Sequence, residues 1–130
     1  METREWFDGR ARRLALPAHG DARGVLLPLD FDALPFVPRR LFVVHGVAPG
    51  ATRGGHAHRR ARHLLVRLSG VIDVELRTPD DAARVVLDRT DDALLVEPGV
   101  WLAHRYRDDG RLLVLGSEPH DPEAYSDIPL

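Results

Sequence analysis

Proline, glycine and aspartate interrupt this chain so often that only short segments remain between them. Pro28, Pro35 and Pro38 exclude a long helix from their region, because proline lacks an amide donor and its ring clashes with the preceding turn. The uninterrupted runs are brief and apolar: residues 41–44, 64–68, 71–76, 84–87, 93–96 and 112–115. In residues 71–76, Ile72, Val74 and Leu76 alternate with Asp73 and Glu75, the period of a strand with one buried face. Ser69-Gly70 reads as a tight hairpin turn between 64–68 and 71–76. Pro79-Asp80-Asp81, Glu97-Pro98-Gly99 and Asp108-Asp109-Gly110 read as further turns. Residues 25–29 form a short strand that Pro28 confines to a sheet edge. Residues 1–13 are expected to be an extended or frayed start. The acidic tail, 118–130, is expected to be loop with a helical turn near 122–125. Many short strands at short spacing make an all-β chain, an antiparallel sandwich or barrel.

With 130 residues, 44% of them hydrophobic, the chain suits one domain over 1–130 with one buried core. No apolar run reaches the length of a membrane span and the N-terminus lacks a signal-peptide pattern, so a cytoplasmic protein without a membrane partner is expected. The absence of cysteine excludes disulfides, thiolate nucleophiles and cysteine zinc sites. Lysine is also absent, so all 18 basic residues are arginine and Schiff-base chemistry through lysine is excluded. Arginine remains for anionic ligands, and its planar fork suits phosphate. A net charge of −2 argues against nucleic acid as partner.

One segment carries chemistry: Arg53-Gly54-Gly55-His56-Ala57-His58. If residues 56–58 are extended, His56 and His58 face the same way, because side chains alternate along a strand. Two neutral imidazoles in one pocket can hold a metal or move protons near neutral pH. The plainer alternative is a pair of surface histidines in an arginine-rich loop. His19, His45 and His120 show no partner and read as solvent-facing or locally satisfied.

A His-x-His pair entering a strand of a small all-β chain resembles the cupins, whose fold is a double-stranded β-helix or jelly roll. Gly55, His56, His58 and Gly70 fit the first cupin motif, and Pro98-Gly99-Val100-Trp101 begins the second. Arg62 stands where a metal-binding cupin has its glutamate, and Leu102 where it has its last histidine. A cation in place of a carboxylate repels a divalent ion, so no metal is expected. A metal-dependent cupin built on His56, His58, His63 and His104 remains the alternative with the least support.

The order of landmarks is similar to the WxcM-like cupins, the sugar-nucleotide 3,4-ketoisomerases. These landmarks are Asp21-x-Arg23-Gly24, Pro35-Phe36, Arg40, Arg53-Gly54-x-His56-Ala57-His58, Leu68-x-Gly70, Val100-Trp101 and Ser117…Asp121…Tyr125, spanning about 21–127. The resemblance implies a jelly-roll homodimer without cofactor. It acts on a dTDP-linked 4-keto-6-deoxyhexose, moving the keto group from C4 to C3. It implies His58 as principal base and His56 as its partner or second proton carrier. Arg53 or Arg40 would hold the diphosphate or polarise the ketone. Arg23 joins them as a substrate-binding candidate, with a structural ion pair as its alternative. Trp101 is a candidate for stacking on sugar or thymine, with core packing as its alternative. Asp121 and Tyr125 read as scaffold. The chain departs from the family at Phe42-Val43, where a tyrosine pair is usual, at Leu102, where histidine is usual, and at His63, where glutamine is frequent. A non-catalytic sugar-nucleotide-binding cupin is the second reading.

Overall fold

The computed structural model describes residues 4–130. Its eleven strands are β1 (Arg4–Trp6), β2 (Ala11–Ala15), β3 (His19–Asp21), β4 (Gly24–Leu26), β5 (Arg40–Val44), β6 (Thr52–His58), β7 (His63–Arg77), β8 (Ala82–Leu87), β9 (Asp92–Val96), β10 (Trp101–Gly116) and β11 (Tyr125–Ser126). Two short 3₁₀ turns, Phe31–Ala33 and Pro122–Ala124, are the helical elements among the described residues. All strand pairs are antiparallel.

Two long strands organise the rest. β7 and β10 pair along nearly their whole length, and each belongs to two sheets. The first half of β7 and the second half of β10 lie in a sheet ordered β1-β2-β9-β7-β10-β5. Their other halves lie in a sheet ordered β8-β7-β10-β6-β11. The two strands bend between the sheets at one place. Gly70 takes φ +63°, Asp108 and Asp109 take φ +56°, and the β7–β10 register shifts between Arg107 and Arg111. Here two expectations are corrected. Ser69-Gly70 is not a hairpin turn, and Asp108-Asp109-Gly110 does not separate two strands. Both are bends within continuous strands. Local sequence shows a break in the β pattern, but whether the chain reverses or bends depends on what pairs beside it. Here each strand has the other to follow around the corner.

The two inner faces enclose the core, where Leu65, Ile72, Leu76, Leu87, Leu94, Leu112 and Val114 pack together. This is the antiparallel sandwich expected from the strand rhythm, and the jelly roll that the cupin resemblance implies. The outer face of the first sheet is covered as well: Leu64, Val66, Leu95 and Leu115 pack under Leu27, Leu29, Leu34 and Phe36 from the proline-rich segment. Cover on both faces explains why 64–66 is an unbroken apolar run rather than an alternating one. From Arg4 onward the N-terminal segment is extended, as one of its two expected states, and it is paired. β1 and β2 form a hairpin, and β2 continues onto β9, with Arg13 holding the buried Asp92 through Nε at 2.8 Å.

Candidate active site

At one end of the sandwich the two sheets part over a cavity of about 370 Å³. β5 contributes Arg40, Phe42 and Val44; β6 contributes Arg53, Gly54, His56 and His58. His63 and Leu65 of β7, Leu102, His104 and Val114 of β10, and Tyr125 of β11 complete the lining. Strand alternation puts His56 and His58 on one face, as their spacing requires. Arg53 has the wrong parity to join them in a regular strand. A bulge corrects this: Leu102 faces His56, Ala103 faces Gly54 and His104 faces Arg53, so Gly55 is the extra residue. Gly54 and Gly55 take φ +80° and +87°, which residues with a Cβ rarely adopt. The glycine pair thus turns the Arg53 side chain toward the histidines.

The ring centroids of His56 and His58 lie 5.0 Å apart, edge to face, and His63 lies 4.2 Å behind His58. Tyr125 stacks on His56 at 4.5 Å and meets His58 edge-on at 4.6 Å. Its hydroxyl is 3.1 Å from Nδ1 of His120, which also lies 3.3 Å from an Arg40 guanidinium nitrogen. Arginine can only donate, so Nδ1 is an acceptor and the Tyr125 hydroxyl donates to it. The Arg40–His120–Tyr125 chain thereby holds the ring that packs on both site histidines. On the other wall the Tyr106 hydroxyl lies 2.7 Å from Nδ1 of His104.

Electrostatics keep these imidazoles neutral. Burial, then the fields of His63, His56 and Arg40, push His58 down to about 3. Burial, with Arg40 and His56, lowers His63 to about 4. Burial, with Arg53 and His56, does the same to His104. His56 is lowered by burial, partly offset by Asp127. In the free protein these four rings are neutral near pH 7, each with one N–H and one bare nitrogen.

Four sequence candidates meet in this cavity: His56, His58, Arg40 and Arg53. Two do not. Arg23 sits on the exposed β3–β4 hairpin, away from the cavity, and pairs with Asp21 at 2.6 Å. Its motif is a turn stabilised by its own aspartate, which sequence alone cannot tell from a ligand contact. Trp101 precedes the inward-facing Leu102, so alternation turns it outward, where Arg77 lies 4.8 Å over its ring. Arg62 likewise points away from the cavity, to Glu97 and to the carbonyl of Pro35. Its neighbour His63 faces inward instead. Tyr125, expected as scaffold, is part of the wall, and His120, expected to be solvent-facing or locally satisfied, is exposed and bonded to Tyr125 five residues on. The place of Tyr125 in the wall was not legible, because β11 is two residues long and its pairing with β6 is non-local. Among the described residues no three His, Asp or Glu side chains converge as metal ligands. The histidines pack ring against ring rather than aiming nitrogens at one point.

The family model of FdtA, WxcM-like, C-terminal, matches residues 10–127. The chain belongs to the WxcM-like family. Its WxcM-like relatives include the TDP-4-oxo-6-deoxy-α-D-glucose-3,4-oxoisomerase of Aneurinibacillus thermoaerophilus, 30% identical over 81% of this chain and 77% of that protein. The fold is shared with solved ketoisomerases. The sugar 3,4-ketoisomerase QdtA of Thermoanaerobacterium thermosaccharolyticum, in complex with TDP, superposes with a TM-score of 0.87, 27% identity and coverage of 91% of this chain and 88% of that one. The TDP-quinovose 3,4-ketoisomerase WlaRB of Campylobacter jejuni gives a TM-score of 0.83 at 30% identity, covering 88% and 90%. This WxcM-like chain therefore shares the jelly-roll cupin fold of solved 3,4-ketoisomerases, and its histidine cavity is the candidate active site.

Proposed function

We propose that this chain moves the keto group of a dTDP-linked 4-keto-6-deoxyhexose from C4 to C3, without a metal, using His58 as base and His56 as the second proton carrier. One observation carries the proposal: His56 and His58 stand together in the cavity, half-buried, and neither is hydrogen-bonded to a carboxylate among the described residues. The family's named activities and a relative solved with TDP support the choice of substrate.

The chemistry balances with these groups. His58 takes the C3 proton; the bonding pair becomes the C3–C4 double bond, and the C4 carbonyl pair moves onto oxygen. A proton delivered to C4, with the hydroxyl proton passing from O3 to O4, leaves a ketone at C3. Arg40, whose field reaches His58 and His63, and Arg53, whose field reaches His104, both line the cavity and supply positive charge for a diphosphate and for the enediolate. Arg40 also depresses His58 and His63. A diphosphate bound at Arg40 would offset that field and raise His58 toward the range in which a histidine exchanges protons efficiently. Phe42 and Leu102 line the cavity where the family pattern has polar groups that could orient a sugar.

The reading carries a homodimer and a cytoplasmic location. Support for the dimer comes from the edge strand β5, whose Leu41 and Val43 are exposed, and from Val25, Leu26, Phe31 and Val37 beside it in sequence. For the location, no helix among the described residues is long and apolar enough to cross a membrane, and the chain has no cysteine to oxidise. Turnover tests the activity. Incubation with dTDP-4-keto-6-deoxyglucose, followed by NMR, should give the 3-keto isomer. Nucleotide binding without conversion across several dTDP-keto sugars would favour the non-catalytic binding protein.

A further inference from the structure

The buried pair of His104 and Tyr106 has no task in the proton transfers assigned to His56 and His58. The two residues are separated by one position on β10, so both face inward, at 9% and 2% exposure. The Tyr106 hydroxyl lies 2.7 Å from His104 Nδ1 and makes no other hydrogen bond among the described residues. Burial raises the Tyr106 phenol, so the hydroxyl keeps its proton. A buried hydroxyl proton requires an acceptor, and Nδ1 is the acceptor within reach. The lone pair of the imidazole is therefore on Nδ1 and its proton on Nε2. That nitrogen is turned toward Gly54 at the cavity wall. A Cβ on Gly54 would lie 3.1 Å from Nε2, so glycine at 54, held at φ +80°, keeps that nitrogen from being covered by a side chain. Nε2 has no hydrogen-bond partner among the described residues, yet no buried side-chain nitrogen there is left unpaired, so Nε2 reaches the cavity that His104 lines.

We infer that His104 is a catalytic residue that donates its Nε2–H to the keto oxygen of the substrate, and that Tyr106 is a positioning residue that fixes the donating tautomer. The inference rests on the ketoisomerase reading. His104 transfers no proton in this role. It hydrogen-bonds the oxygen that gains negative charge as C3 loses its proton, and a neutral imidazole N–H is suited to that task because it stabilises the enediolate without discharging it. β10 thereby supplies a fixed donor, while His56 and His58 move protons.

Two measurements test this. NMR of the ring nitrogens in the free protein should show His104 protonated at Nε2 and bare at Nδ1, and a mixture of tautomers in Tyr106→Phe. Kinetics should then separate donation from proton carriage. His104→Gln retains an N–H donor and should stay within about tenfold of wild-type kcat, whereas His104→Leu should lose about a hundredfold. Tyr106→Phe should lower kcat with little change in KM. A His104 proton on Nδ1, or a glutamine variant as impaired as the leucine one, or a leucine variant as active as wild type, would overturn the inference. The tautomer is read without substrate, so it is decided separately from turnover. Failure of the wild type to convert any keto sugar would instead remove the isomerase reading itself.

Discussion

His63 and His104 are buried, neutral and lowered to about 4, and this has a consequence for stability. An unfolded histidine takes up a proton near its ordinary value of 6.5, whereas these two resist until about 4. Between those values the unfolded chain binds more protons than the folded one, so stability falls as pH falls. The slope approaches about 1.4 kcal/mol per pH unit for each such group, and no further loss comes from them below the folded value. Urea unfolding at pH 7 and pH 5 should show a clear loss at pH 5, smaller in His63→Gln. Stability that is flat or rising on acidification would mean that these rings are not buried as described. At this scale much of the site was visible in the sequence. His56 and His58 followed from their spacing, and Arg53 from its place beside them. Arg23 and Trp101 lie outside this cavity for a physical reason: an arginine in a turn and a tryptophan on a strand have many partners available, and only the fold shows which one is near.

Gly70 carries the bend on which the architecture turns. Its φ of +63° disfavours any side chain, and a Cβ there would strike the Asp108 carbonyl and approach Gly110 Cα to 2.6 Å. Both neighbours are backbone of β10 and cannot rotate away. Gly70→Ala should therefore destabilise the protein by at least about 2 kcal/mol, measured by denaturant unfolding. A loss below about half a kcal/mol would show that β7 can cross between sheets without this conformation. The same glycine shows where sequence reading stopped. The strands around it were legible from their apolar runs, and so were β5, β8 and β9. The turn chemistry was legible too, but a glycine after serine looks alike in a hairpin and in a bend. β1 and β2 were hidden because Arg12 and Arg13 interrupt the apolar pattern; their pairing comes from the buried carboxylate of Asp92.

The sandwich places a chemically plain cavity between two sheets, and each wall has its own duty. In the proposed mechanism β6 carries the proton-moving pair, β5 and the bulge carry the cations, β10 carries the fixed donor, and Tyr125 of β11, bonded to His120, packs against the pair. The exposed edge of β5 leaves apolar surface that a second copy would cover. Light scattering at micromolar concentration should give twice the chain mass; a monomer would leave Leu41 and Val43 without the proposed role. The central claim is that His58 removes the proton. Asparagine at that position stays polar but cannot carry a proton, so turnover and nucleotide binding should part company. The decisive measurement is the conversion of dTDP-4-keto-6-deoxyglucose by wild type and His58→Asn, followed by NMR, with TDP affinity measured on both. The expected result is a loss of about a hundredfold or more in turnover with affinity nearly unchanged; undiminished turnover in His58→Asn would contradict the mechanism.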